Sequence, residues 1–170
     1  LSLILLKKYD FKNAWLNFDG RLSLSDFIGK NSTLSLIKYK IPGNRILDKD
    51  TKILVLREQG VGDEILYGTM YHDLLNHFTN VTIECDDRLI PLFKNSFNEN
   101  DSNKFVKLGQ YSSNEDDINN FDYVIYAGSL GRYFRPNIES FPNKPYLKKI
   151  LDYRDFELDI SNIGYYFLTQ

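Results

Sequence analysis

The chain of 170 residues holds a single cysteine, Cys85, so it can form neither an internal disulfide nor a cysteine zinc cluster. Nothing in it requires an oxidising compartment, and a cytoplasmic location is the default expectation. Alanine is nearly absent, with only Ala14 and Ala127, while asparagine is abundant along the whole chain, a compositional bias rather than a prion-like tract. Charge of one sign is lacking too. With 21 Lys and Arg against 23 Asp and Glu the formal net charge is -2, which leaves no positive excess to neutralise a phosphate backbone and argues against a nucleic-acid partner. No apolar run approaches the roughly 20 residues of a transmembrane segment. Leu1 to Leu6 is short, and Lys7 and Lys8 follow it, whereas a signal peptide carries its charges first. We read it as the end of a packed helix in a chain that starts, at Leu1 rather than Met, inside a larger one. What is plentiful is core material, with 42% hydrophobic and 15% aromatic residues, enough for one domain.

Residues 1–20 read as a helix end, a turn at Tyr9-Asp10 and a second helix from Phe11 to Phe18, with Ala14, Trp15 and Phe18 on one face. Residues 21–51 form a connector whose only strong signal is the turn group Pro42-Gly43-Asn44. Organisation begins near Lys52. Ile53-Leu54-Val55-Leu56 has no polar alternation, the pattern of a strand buried on both faces of a parallel sheet. A glycine turn follows, and Leu66, Met70, Leu74 and Phe78 mark the buried stripe of a helix from about Asp63 to Phe78. Further strands are expected at 81–85, 104–108 and 121–126, with a short helix carrying Leu89, Ile90, Leu92 and Phe93 and an acidic loop over 112–120. Strands alternating with helices predict an α/β fold with a Rossmann-like, mostly parallel sheet over 52–150, a short helical appendage before it and a divergent tail over 151–170.

In such a sheet, ligands bind outside the carboxyl ends of the strands. The turn Arg57 to Glu64 lies there, and Gly60 and Gly62 would let backbone amides and a helix N-terminus approach a phosphate or a sugar hydroxyl. The plainer alternative is a tight turn with Asp63 as the helix N-cap. Ile65 stands where a dinucleotide fingerprint needs its third glycine, and the turn has no P-loop lysine, so neither NAD binding nor nucleotide hydrolysis is supported. Glu84 and Asp86 are expected to cap the next helix. Arg132 and Arg135, after the last strand, are candidates for an anionic group. His72 and His77 read as surface residues and Cys85 as core.

Several of these segments resemble a known family. Asp10-Phe11-Lys12-Asn13-Ala14-Trp15 resembles the end of a tetratricopeptide array, and Arg57-Glu58-Gln59-Gly60-Val61-Gly62-Asp63-Glu64-Ile65 resembles the turn that follows such arrays in bacterial glycosyltransferase-like proteins. Val81 to Asp86, Arg88-Leu89, Pro91-Leu92-Phe93, Gly128-Ser129-Leu130 with Arg132, Phe141-Pro142 and Pro145-Tyr146-Leu147 are similar to later landmarks of that family, so the match covers about residues 9–148. These proteins are similar to the lipopolysaccharide heptosyltransferases and, more distantly, to tetratricopeptide-bearing O-linked GlcNAc transferases.

The resemblance implies the acceptor-side, amino-terminal domain of a GT-B glycosyltransferase, which moves a sugar from a nucleotide-sugar donor to a sugar or glycan acceptor. It implies Asp63 as the general base, working without a metal or other cofactor, and Arg57, Gln59, Gly60, Gly62, Ser129 and Arg132 as substrate-binding residues. A carboxylate at a helix start suits that role, because the helix N-terminus keeps it ionised beside the hydroxyl it deprotonates. Two departures stand out. Gly131 replaces the proline that usually follows Ser-Leu, and residues 152–170 carry no second glycine turn or donor site. The expectation is therefore an incomplete chain, inactive alone, that would meet its donor only with a carboxyl-terminal domain and a protein partner through its tetratricopeptide region. The rival readings are a non-catalytic binding or scaffold module on the same fold, and a small nucleotide-binding α/β protein.

Overall fold

The computed structural model describes residues 1–23 and 47–148. The expectations for Pro42-Gly43-Asn44, for most of the connector and for the tail lie outside these residues. Helices α1 (Ser2–Lys7) and α2 (Phe11–Phe18) are joined by a turn in which Tyr9 takes φ 60° and the Asp10 side chain accepts from the Asn13 N–H. That cap satisfies a donor the helix cannot satisfy itself. α2 buries Phe11 and Ala14 and turns Trp15 and Phe18 the same way, as the spacing predicts. α1, expected to be packed, has no buried residue, and Leu1, Leu3 and Ile4 are exposed.

Strands β1 (Ile53–Leu56), β2 (Val81–Cys85), β3 (Phe105–Lys107) and β4 (Tyr123–Tyr126) form one all-parallel sheet in the order β3-β2-β1-β4. Val55 lies opposite Ile83 on one side and Ile125 on the other. This is the strand order of a Rossmann-like half, so the expected α/β architecture is present. The chain reverses its direction of travel between β1 and β4, and the crevice at their carboxyl ends is the topological switch point.

Strand alternation divides the core into two layers. Ile53, Val55, Val81, Ile83, Cys85 and Ile125 pack against α3 (Val61–Gly68), α4 (Tyr71–His77) and α5 (Ile90–Ser96), with Tyr71, Phe93, Phe97 and Phe105 in mutual ring contact. A further turn of helix, α6 (Glu99–Ser102), leads into β3. Leu54, Leu56, Val124 and Tyr126 face the other way, onto Ile118, Leu22, Tyr111 and Phe121. Ile118 belongs to α7 (Glu115–Asn119), a helix capped by the Asn114 side chain where the acidic composition predicted only a loop.

The helix expected over 63–78 is broken into α3 and α4, and the cause is side-chain intrusion. The Tyr146 hydroxyl donates to the Ile65 carbonyl at 2.6 Å, and the Thr69 N–H turns to Leu66 instead, at 3.3 Å. The Arg135 guanidinium then takes the freed Thr69 carbonyl at 2.6 Å. A side chain inserted into the hydrogen-bond ladder is an ordinary cause of a helix break. The break also swings Leu66 off the buried stripe, leaving it 62% exposed, while Met70 and Leu74 stay in the core.

Candidate functional site

The turn after β1 splits its functional groups between two sides. Arg57 points toward β2, where its Nε donates to Glu64 Oε1 and its Nη2 lies 3.5 Å from Asp86. Glu64 is buried in α3 and also accepts from the Asp86 N–H at 2.9 Å. Burial pushes the Glu64 carboxyl above its ordinary range, against the opposing pull of the Asp86 amide and of Arg57. Asp86 is clamped in turn by Arg88, at 2.8 and 2.9 Å, which holds its carboxyl well below the usual carboxylate range. Arg57, expected to meet substrate, is thus engaged in tying β1, α3 and β2 together.

Glu58 points the other way, into the switch point, and its side chain is fully buried. Its two oxygens accept from Arg21 Nε at 2.7 Å and Nη2 at 2.6 Å, and Oε1 also accepts from the Gly128 N–H at 2.5 Å. Arg21 belongs to the 3-10 segment Asp19–Ser23 that extends α2. It stacks on Phe18, 4.1 Å from the ring centroid, and donates to Ser129 Oγ at 3.1 Å, while Ser129 donates to Asp19 at 2.7 Å. Ser129, another expected substrate contact, is therefore buried and satisfied within the protein. Arg132 stays exposed, its Nη1 3.8 Å from Asp19.

Two glycines make this docking feasible. A Cβ on Gly128 would lie 2.5 Å from Glu58 Oε1 and 3.0 Å from both Arg21 Nη2 and Phe18. One on Gly131 would lie 2.7 Å from the Trp15 ring. Gly131, which departs from the proline of the resembling family, opens α8 (Gly131–Phe134) and leaves room for that indole. The indole Nε1 donates to the Arg135 carbonyl at 2.7 Å.

The outer rim of the turn is open. Gln59 is exposed and takes φ 61°, a left-handed conformation uncommon for a residue with a side chain. Gly60 is the N-cap of α3 and Asp63 its third residue, so Asp63 does not cap in the expected position. Its Oδ2 accepts from the Gly60 N–H at 3.0 Å, and its other oxygen has no hydrogen bond to any described residue. Asp63 is half-buried and Gly60 and Gly62 are exposed. Beside them Tyr67 donates to Gln59 Oε1 at 3.4 Å, and burial together with the Glu58 charge pushes its phenol well above the ordinary range. The carboxyl edge thus gathers Gln59, Gly60, Gly62 and Asp63 from one loop and Ser129 and Arg132 from the loop after the adjacent strand.

Glu84 and Arg135 differ from expectation for the same reason: each satisfies backbone groups. Glu84 caps no helix; it is fully buried and accepts from the N–H groups of Gly109, Tyr111 and Ser112 and from the Ser112 hydroxyl. Arg135 is 2% exposed, pairs with Asp73 at 2.8 Å and holds the α3/α4 break. His72 and His77 are exposed and Cys85 is in the core, where burial raises its thiol pKa to about 12. A separate apolar cleft of ≈ 300 Å³, lined by residues that include Ile53, Tyr123, Leu74 and Phe134, contains none of the expected site residues. Among the described residues no His, Cys, Asp and Glu cluster could hold a metal, and no helix is long and apolar enough to cross a membrane.

Fold and site together define a Rossmann-like α/β protein whose switch point is filled by a helical appendage and whose outer rim presents an accessible carboxylate. No family model matches the chain, and no solved structure matches it. Protein FlbA of Caulobacter vibrioides is similar to it, 27% identical over an alignment of 124 residues that takes in 63% of this chain. The chain spans about 20% of the length of that curated relative.

Proposed function

We propose that this chain is the acceptor-side domain of a glycosyltransferase of the GT-B kind, with Asp63 as the general base that deprotonates an acceptor hydroxyl. The observation that carries the reading is the state of Asp63. One oxygen is fixed by Gly60, the other is free among the described residues, and the group sits at a helix start on the ligand edge of a parallel sheet. A carboxylate so held can take a proton from a hydroxyl brought within hydrogen-bond reach. Gln59, Gly60, Gly62 and Arg132 are the neighbours best exposed to a sugar or glycan acceptor, while Arg57 and Ser129 act behind them through Glu64 and Asp19. In this reading the nucleotide-sugar donor is held by a further domain, a tetratricopeptide region contacts a protein partner, and the lone buried cysteine suits a cytoplasmic location.

The test is sugar transfer from a panel of nucleotide-sugar donors. The 170-residue chain alone should transfer nothing. The full-length gene product should transfer, and Asp63→Asn in it should fold normally while losing about 10²- to 10⁴-fold in rate, since asparagine can still accept from Gly60 but cannot take a proton. Near-normal turnover would leave Asp63 as a helix-start residue only. One observation favours a second reading, a binding or scaffold module: the switch point itself is occupied by Arg21 and Glu58, so a ligand has the outer rim alone.

A further inference from the structure

The Asp63 turn is held from a distance. Glu58 immediately precedes Gln59, whose left-handed φ aims the Gly60 N–H at Asp63, and the Glu58 carboxylate is fixed by Arg21, 37 positions earlier in the chain. The same guanidinium reaches Ser129, and the same carboxylate reaches the Gly128 N–H, so one ion pair ties together the loops after β1 and β4. Behind Arg21 stand Phe18 and Trp15 of α2, the latter pressed on Gly131. We propose that Arg21 is a positioning residue for the candidate site: through Glu58 it makes the geometry of the Gln59–Gly60–Asp63 turn depend on the docking of the helical appendage. The proposal rests on the reading of Asp63 as the functional group, but the linkage itself is a property of the fold.

The logic is one of rigid coupling. A buried carboxylate with both oxygens engaged by a planar fork has few alternative positions, and the residue after it inherits that constraint through the chain. Lysine at position 21 would keep the charge near Glu58 yet could not span both oxygens and Ser129 at once. The appendage would stay docked through Trp15 while the fork was lost.

The experiment compares the amide resonances and hydrogen exchange of the full chain with those of Arg21→Lys and Arg21→Ala. In Arg21→Lys the Gly128 amide should exchange about tenfold faster, and the Gly60 resonance should shift, while Gly109 and Ser112, bonded to Glu84, stay in place. Arg21→Ala should enlarge the same local pattern. Should Arg21→Ala fail to fold, Arg21→Lys alone decides. A Gly128 change without any Gly60 change, or a uniform change at all amides, overturns the proposal. The sugar-transfer reading is judged separately: if Gly60 follows Arg21 but Asp63→Asn transfers normally, the linkage stands and the enzymatic reading falls.

Discussion

Glu84 and Glu58 are both buried carboxylates near the carboxyl edge of the sheet, and they are stabilised in opposite ways. Glu84, on β2, accepts only from its own neighbourhood: three backbone N–H groups and one hydroxyl of the loop after β3, with no cation bonded to it among the described residues. Glu58 needs Arg21, which arrives from the helical appendage. The first device closes a loop on the sheet and is self-contained. The second makes the β1/β4 edge incomplete without the segment that precedes the sheet. Structural carboxylates thus separate a part of the edge that folds on local terms from a part that depends on a distant element.

The comparison is broken most directly at Glu84. Replacing it with leucine leaves the buried acceptor's partners, the N–H groups of Gly109, Tyr111 and Ser112, without a bond. At roughly 1 to 3 kcal/mol for each unsatisfied group the loss should be about 4 kcal/mol, after partial relaxation of the loop. Urea unfolding at neutral pH measures it. A loss below about 1 kcal/mol would mean that water or a shifted loop replaces the carboxylate without cost.

Arg21→Ala should come next, at about 3 kcal/mol, because it strands the Glu58 charge in a buried setting. The double substitution Arg21→Met with Glu58→Leu should cost less than the sum of its single substitutions, with a coupling of about 1 to 3 kcal/mol. That pattern would confirm mutual dependence between appendage and sheet. Strict additivity would show the two side chains to be independent, and the contrast with Glu84 would disappear.

Gly131→Ala sharpens the same point through packing rather than charge. Its methyl would press on the Trp15 ring, and overpacking of this kind costs about 1 to 3 kcal/mol. Pairing it with Trp15→Leu should recover part of the loss, since the smaller side chain vacates the space. If Gly131→Ala is neutral in the presence of Trp15, the appendage docks more loosely than the contact implies.

The legibility of the sequence follows the same division. The unbroken apolar run Ile53 to Leu56 and the strand near 123–126 announced a parallel sheet, because burial on both faces leaves no room for polar alternation. The glycine turn likewise fell at the ligand edge where strand-turn-helix order puts it. What could not be read was the partner of each polar group. Nothing local to Tyr146 says that its hydroxyl will interrupt a helix 81 positions earlier, and nothing local to Arg21 says that it will meet Glu58. The charge run around 112–120 hid α7 because acidic residues at a helix start are stabilising, so composition alone does not separate that start from a loop. Glu58 was the residue of the site that reasoning by motif passed over. The available signal was its place two residues after a doubly buried strand, where a charge must find a partner.

The smallest effect concerns Asp86, at the β2 end of the edge, where the clamp is exposed and local. Arg88 lowers the folded-state pKa of Asp86 through side-chain and backbone hydrogen bonds, below its unfolded value near 3.9. A depressed carboxyl pKa adds stability that is fully present above the unfolded pKa and is lost as pH falls through the folded one. Arg88→Ala should therefore lower stability slightly at neutral pH, and its difference from the unmodified chain should shrink progressively as pH falls below about 4 toward the depressed folded-state pKa of Asp86. Because Arg88 is 75% exposed, salt should shrink that neutral-pH difference as well. An Arg88→Ala deficit that stayed constant from neutral to acid pH would show that the side chain acts through packing on the Asp86 turn rather than through its charge. In that case the Asp86 turn would resemble Glu84, held by shape and backbone bonds, in contrast to Glu58, whose place depends on the Arg21 cation.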